Sequence, residues 1–334
     1  LGKSWEIAQE INYPLPEDVN QALISDLQNG QNAIRLVIDR ATAQHDDFIT
    51  DDVSGMNICV STVEDFEKIF NNIDITKYPV YIDAGLAGFA TAMLFFNYCE
   101  KNGINTADLK GGFELDAVSE LVSDGYLPYQ ISKYYQQIAE FTKWVNSKSP
   151  NFQTIKINTS AFHNAGATAV DELAIAMSYA VLVIDSLMEN GLSIDEIAPK
   201  MKLQFSIGTN FFMEIAKIRA ARILWAKVIK NYDGNENSQK VMIHTETSFR
   251  ENSMLDPNVN MLRHTTETFS AICGGADSIS VGFYDTMFGL PEEFSRRVSR
   301  NTQNVLLHES HLTDTVDPAG GSYYIEALTF DLAR

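Results

Sequence analysis

The sequence is poor in the residues that mark secreted, nucleic-acid-binding or membrane-embedded proteins. Its 334 residues include three cysteines, Cys59, Cys99 and Cys273. They are widely spaced, form no C-x-x-C pair and each sits in an apolar stretch, a pattern of buried free thiols in a reducing cytoplasm rather than a disulfide framework. Basic residues are scarce: 25 Lys and Arg against 44 Asp and Glu give a formal charge of −19. That field repels phosphate backbones and disfavours a nucleic-acid partner. Long apolar runs are missing as well. The longest, Ala180 to Ile184, falls far short of the roughly 20 residues that a membrane helix needs, and the first residues lack the apolar core of a signal peptide. No membrane association is therefore expected. Glycine and proline form no low-complexity or linker-like run. Neither G-x-S-x-G, H-E-x-x-H nor a phosphate-loop pattern occurs.

What is present is an alternation of short β-branched runs with longer helical patterns. Candidate strands are Ala33–Asp39, Val80–Asp83, Leu109–Phe113, Thr154–Asn158, Lys202–Ile207, Val241–Thr245 and Ser278–Val281. Most precede a helix, and helix ends are marked by capping boxes, Ser61 with Glu64 and Ser193 with Glu196, and by Gly103, Gly191 and Gly274 at C-terminal positions. The longest helix is expected from Asn210 to Tyr232, with Phe211, Ile215, Ile218, Ile223, Trp225 and Val228 on an apolar period and Lys217, Arg219, Arg222 and Lys227 carrying charge. Strand–helix units in series imply a parallel sheet. With Ser322–Ile325 as an eighth strand, the expected fold is α/β, a (β/α)8 TIM barrel over residues 31–334, behind an N-terminal extension over 1–30 that packs on the barrel or on a partner. The alternative is an open doubly wound sheet; the barrel is favoured because no linker divides the chain.

The loops after the strands, where a barrel carries its chemistry, hold few ionisable groups. His163 is the natural general-acid candidate there, the alternative being a loop histidine bonded to backbone. His244 lies within a strand and reads as a satisfied barrel histidine. His308 and His311 have i, i+3 spacing without a further metal ligand, so no metal site is expected. Gly274-Gly275 and Gly320-Gly321 read as turns and caps. Asp65, Glu67, Glu292 and Glu293 read as solvated helix charges. Arg296, Arg297 and Arg300 form the densest cationic cluster, either a solvated helix face or a contact for phosphate or a partner's carboxylates.

Several segments resemble the substrate-binding barrel of methylmalonyl-CoA mutases. They are Gly208–Lys227 (GTNFFMEIAKIRAARILWAK), Ala165–Ala169 (AGATA), Gly289–Phe294 (GLPEEF), Arg300–Gln303 (RNTQ), and the DPAGGSY and DLAR stretches near the end. The resemblance runs from about Trp5 onward. It implies a (β/α)8 barrel that threads coenzyme A along its axis. In the family a separate flavodoxin-like domain holds adenosylcobalamin over the barrel mouth, and a radical interconverts succinyl-CoA and (R)-methylmalonyl-CoA.

Set against that pattern, the chain departs where chemistry is done. A Tyr-His pair of active members aligns with Ser160 and Ala161, and a nearby Glu with Asn164. His163 is out of register with the pair. The arginine that holds the substrate carboxylate aligns with Lys133, which loses the bidentate fork, and a substrate-side glutamine aligns with Gly112. Two contacts to the adenosyl ribose align with Gly282 and Thr286, and residues meeting the CoA tail align with Lys200 and Lys202, which either pair with phosphate or are ordinary surface lysines. The corrin-binding D-x-H-x-x-G motif is absent. The resemblance is therefore to the small, non-catalytic subunit of the heterodimeric bacterial enzyme. It implies no catalytic residue, no metal and no cofactor held by this chain, adenosylcobalamin reaching the holoenzyme through the catalytic large subunit, and a cytoplasmic location. The alternatives are an active mutase for a different acyl-CoA and a regulatory subunit that retains affinity for coenzyme A esters.

Overall fold

The alternation of β-branched runs and amphipathic helices builds eight parallel strands joined by helical connections, the (β/α)8 class of α/β fold. The computed structural model describes residues 4–39, 57–125, 127, 130–289 and 291–334; Leu290 of the GLPEEF stretch lies outside them. The chain divides into two compact units. One comprises Ala8–Lys156 and Ser186–Lys200, the other Leu1–Ile7, Ile157–Asp185 and Met201–Arg334.

In the first unit, helix α1 (Pro16–Gln28) precedes β2 (Ile34–Val37), α2 (Val63–Ile69), β3 (Val80–Asp83), α3 (Gly88–Lys101), β4 (Gly111–Leu115), α4 (Ala117–Asp124), α5 (Ile131–Lys148) and the start of β5 (Phe152–Asn158). Register pairs Ile34 with Val80, Val80 with Gly111, and Gly112 with Gln153. Successive strand residues point to opposite faces, except where the β4–β5 pairing shifts register between Gly112 and Leu115. On the helix side, Phe113 and Phe152 meet Phe95 at ring-centroid distances of 5.8 and 6.1 Å, and Phe95 meets Phe66 at 5.6 Å. These rings are all but completely buried, so the aromatic cluster is the apolar core of this unit. The opposite sheet face is ionic. Lys156 bonds Asp83 and lies 3.3 Å from Glu114, while Arg35 reaches Glu114 at 3.7 Å and Glu10 at 3.3 Å. Burial alone would depress the Lys156 ammonium; the carboxylates of Asp83 and Glu114 outweigh it and hold the group above its ordinary value.

In the second unit, α6 (Ser160–Asn164) and α7 (Ala169–Glu189) follow β5, and α7 ends in the first unit, before the short α8 (Ile194–Ile197). Then come β6 (Met201–Ile207), α9 (Phe211–Asn231), β7 (Met242–Thr247), α10 (Pro257–Gly274), β8 (Ser278–Ser280), α11 (Glu293–His308) and α12 (Tyr323–Leu332). Full register joins β6 to β7, with Gln204 opposite His244 and Ser206 opposite Glu246, and His244 lies opposite Ser278. The inward-facing side chains here are small or polar: Gln204 and Ser206 bond Glu246, and the His244 ring bonds Ser278 Oγ at 3.0 Å. His244 is thus the satisfied barrel histidine that its strand position suggests.

Three expectations are corrected. Ser322–Ile325 is not a strand: Ser322 caps α12 and the SYYI run opens that helix. The remaining strand is β1 (Glu6–Ile7), which pairs with Ser278 and Ile279 of β8, so residues expected only in an extension contribute to a sheet. Its two residues carry no alternation long enough to register as a strand. The capping box at the start of α2 is Thr62 with Asp65, one residue beyond Ser61 and Glu64, whereas Ser193 with Glu196 caps α8 as expected. Among the described residues no helix is long and apolar enough to cross a membrane.

Phe95→Ala, which empties the centre of the aromatic cluster, is expected to cost about 3–5 kcal/mol, read as a lowered urea midpoint.

Candidate functional site

The C-terminal ends of the strands in the second unit carry an interlocked set of charges. After β5 the chain turns tightly, with Ser160 N–H donating to Asn158 Oδ1 at 2.9 Å and His163 N–H to Thr159 O at 3.0 Å. The turn sends the His163 ring inward, only 2% exposed. Its Nδ1 lies 2.9 Å from Glu172 Oε1 on α7, and its Nε2 lies 2.8 Å from Ser248 Oγ beyond β7. Glu172 also receives Thr159 Oγ1–H at 3.1 Å and Lys217 Nζ at 3.0 Å. Lys217, on α9 and fully buried, completes its shell with Glu214 at 2.7 Å and the Ser206 carbonyl at 2.7 Å. Burial would raise the Glu172 carboxyl, but the Lys217 ammonium and the His163 bond overcome it and hold the group below its usual range. Burial likewise works against the Lys217 charge, and Glu214 and Glu172 hold it above its ordinary value. An ionised Glu172 accepts from Nδ1–H, which leaves Nε2 to accept the Ser248 hydroxyl proton.

Ser248, His163 and Glu172 therefore have the spacing of an acyl-transfer relay. The arrangement lacks what that chemistry needs. Ser248 is fully buried, and its Oγ also accepts the Glu251 N–H at 3.3 Å, so no side is open to an acyl carbon. The trio is a structural lock. His163, expected as a general acid or as a loop histidine bonded to backbone, is neither: both ring nitrogens are committed to side chains.

Beside the lock lies Glu267 of α10, 1% exposed, with neither carboxyl oxygen hydrogen-bonded among the described residues. Burial, reinforced by the Glu251 and Glu214 carboxylates, pushes its pKa up to about 9, so it is neutral at pH 7. Burial pushes the neighbouring His264 down to about 4; its Nε2 bonds Asn252 Oδ1 at 2.8 Å. Desolvation keeps both groups uncharged, and the protonated Glu267 carboxyl retains an O–H that no described residue accepts.

The structure distributes the residues singled out in the sequence between the two units. Ser160 is buried at the start of α6 and Ala161 is half-buried; neither supplies an ionisable group. Gly282 is pinned, its N–H donating to Thr247 Oγ1 at 2.8 Å and its carbonyl accepting from Ser299 at 2.8 Å. A Cβ there would lie 3.0 Å from Thr247 Oγ1. Thr286 sits half-buried in the following turn, its N–H on the Phe283 carbonyl. In the first unit Gly112 backs directly onto β5, and a Cβ would lie 2.7 Å from the Gln153 carbonyl oxygen. Only glycine fits without moving the strands. Lys133 is exposed on the first turn of α5. Lys200 and Lys202 are not surface lysines, being 3% and 2% exposed. The Lys200 ammonium is committed to the Pro150 and Phe152 carbonyls at 2.5 and 3.0 Å, and burial lowers its pKa to about 8.

The remaining candidates resolve as follows. His311 lies beyond the end of α11, so it shares no helix face with His308. Gly275 is the left-handed cap of α10. Of the three arginines, Arg296 and Arg300 are buried rather than solvated, and only Arg297 is exposed. Lys217 was not singled out for the site. Its helical spacing groups it with surface cations, and nothing local reports that Glu172, 45 residues away, meets it.

This is a (β/α)8 protein in which His163, Glu172, Lys217 and Ser248 are bonded to one another at the strand ends. The chain belongs to the methylmalonyl-CoA mutase family, whose model matches residues 1–334. It is 30% identical over 338 residues to a methylmalonyl-CoA mutase of Rhizobium meliloti and covers 48% of that protein. It is 31% identical over 339 residues to a methylmalonyl-CoA mutase large subunit of Streptomyces virginiae, covering 46% of it. With a methylmalonyl-CoA mutase of Escherichia coli it shares 30% identity over 335 residues, 47% of that protein. In each case 99–100% of this chain is aligned. The chain spans about half the length of these curated relatives.

Lys217→Met leaves Glu172 and Glu214 as buried carboxylates without their cation and is expected to cost about 3–5 kcal/mol, read by urea denaturation at pH 7. Glu267 has a folded pKa above its usual 4.5, so the folded state holds a proton that the unfolded state has lost, and stability falls as pH rises from about 4.5 to about 9. Glu267→Gln is expected to flatten that fall, raising the thermal midpoint at pH 8 and leaving it nearly unchanged at pH 4.

Proposed function

We propose that the chain is the non-catalytic small subunit of a bacterial, cytoplasmic methylmalonyl-CoA mutase, a barrel that stabilises a catalytic large subunit. The large subunit would carry out the interconversion of succinyl-CoA and (R)-methylmalonyl-CoA. The observation that carries this reading is the state of the proton donors. The positions that align with the Tyr-His pair are Ser160 and Ala161, and the nearest imidazole, His163, is tied at 2.9 and 2.8 Å to Glu172 and Ser248. Losing a positioned general acid alone lowers a rate by roughly 10²–10⁴. Regaining a side chain at Gly112 would require the backbone of β5 to move.

The residues present do not fit the adenosyl group of adenosylcobalamin. Gly282 offers no side chain, and both its backbone groups are used by Thr247 and Ser299. In this reading the cofactor enters the holoenzyme through the catalytic subunit. Turnover of (R)-methylmalonyl-CoA with adenosylcobalamin is the direct test. Product is expected only when the catalytic subunit is present, and turnover by this chain alone would refute the proposal.

One observation favours a second reading, a subunit that keeps an affinity for coenzyme A esters. The buried Ser160 Oγ and Gln204 Oε1 have no hydrogen-bond partner among the described residues, as polar atoms facing a ligand would. Calorimetry with CoA and succinyl-CoA decides: saturable heat supports the regulatory reading, and none with either ligand leaves the structural one.

A further inference from the structure

We propose that the groove between α10 and α11 is where the catalytic subunit docks an acidic amphipathic helix. The proposal rests on the subunit reading above and adds the surface and the chemistry of its partner. The groove has a volume of about 400 Å³ and lies wholly in the second unit. Phe294, Val298, Val305 and Leu306 line it from α11, and Thr265 from α10. Phe294 and Val305 are 48% and 44% exposed, and on α10 Leu262 and Phe269 are 68% and 36% exposed, Phe269 packing on Phe211 of α9. Leu262 and Phe269 are seven residues apart and so share one helix face.

Charge identifies the occupant. In a chain with 44 acidic residues against 25 basic ones, this groove contains no carboxylate; its sole ionised lining residue is Arg297. The Arg297 guanidinium lies 5.2 Å from the Phe294 ring centroid and makes no ion pair among the described residues. Both walls are helices, of 18 and 16 residues, about 27 and 24 Å long at the helical rise. The groove runs along α11 from Phe294 to Leu306, about 18 Å at the helical rise, with Thr265, Asn301 and Thr302 as its polar lining. That length takes a short partner helix with anchors at i, i+3, i+4 and i+7, and a carboxylate on its polar face would meet Arg297.

A second copy of the chain is the weaker occupant. Groove against groove places Arg297 facing Arg297, and groove against another face is a heterologous contact that propagates into rings or filaments.

The test is the dissociation constant between the full chain and the catalytic subunit co-expressed with it, measured by sedimentation and by calorimetry. Arg297→Glu and Val305→Glu, both at exposed positions, are expected to weaken the complex at least tenfold with unchanged far-UV circular dichroism. Arg297→Lys should retain most of the affinity, and Leu182→Glu, exposed elsewhere on α7, should bind as the parent does. Groove variants that bind like the parent overturn the docking surface and leave the subunit reading intact. A parent chain that never binds the catalytic subunit overturns both. Self-association of the parent that Val305→Glu abolishes makes the groove an interface between copies and also overturns the proposal.

Discussion

The second unit is organised around one buried ammonium. Lys217 has no exposed surface and sits between the carboxylates of Glu172 and Glu214, with the Ser206 carbonyl as its third acceptor. Through it α9, α7 and β6 share a charge that none of them could hold alone, since an unpaired buried ion costs several kcal/mol. The consequences spread outward. Glu172 is kept ionised, so it fixes the His163 tautomer; His163 then accepts from Ser248 and fixes the loop after β7. That loop carries Glu251, whose proximity helps to keep Glu267 neutral. One cation therefore keeps Glu172 ionised and, through it, orients His163 and Ser248, so a residue that reads as helix decoration holds the strand ends together.

A polar sheet face is compatible with a stable fold. Barrels are ordinarily filled by layers of branched apolar side chains. Here the inward-facing residues are Arg35, Glu114 and Lys156 in one unit, and Gln204, Ser206, His244 and Ser278 in the other. Such a face is tolerable because most of its polar atoms pair, Gln204 Oε1 being left without a partner among the described residues. The ion pairs of Lys156 and Arg35 and the bonds of Gln204, Ser206 and His244 satisfy groups that would each be costly to bury unpartnered. The polar lining is thus held together as structure.

Local signals carried most of the architecture. Val80–Asp83 emerges with its observed bounds, and six other strands to within a few residues, because β-branched runs bounded by turns are a strong local pattern. The failures are also physical. Glu6–Ile7 is too short for alternation to appear, and its place in the sheet is set by residues some 270 positions away. The SYYI run has strand propensity, but Ser322 and the packing of Ile325 against Ile215 and Cys273 make it a helix. His163 was conspicuous as an imidazole, yet its partners lie 9 and 85 residues away. The same distance effect hid Lys217 and made Lys200 look like a surface lysine. The readings of Ser160, Ala161 and Gly282 rest on the resemblance of the sequence alone and use no tertiary information.

The charge distribution bears on how such a subunit is recognised. A chain at −19 repels most acidic surfaces at long range, so a specific contact with an acidic partner requires a local reversal of field together with desolvated apolar area. On the α10–α11 face both occur at one place: Arg297 stacks on Phe294 beside Val298 and Leu306, and no carboxylate lines the groove. Arg296 and Arg300, one turn apart on α11, are buried beneath it, so the helix directs two of its three clustered cations inward and leaves one outward. Affinity at such a surface would come from the apolar floor, while the lone arginine sets orientation and rejects partners that bring a cation to the same point.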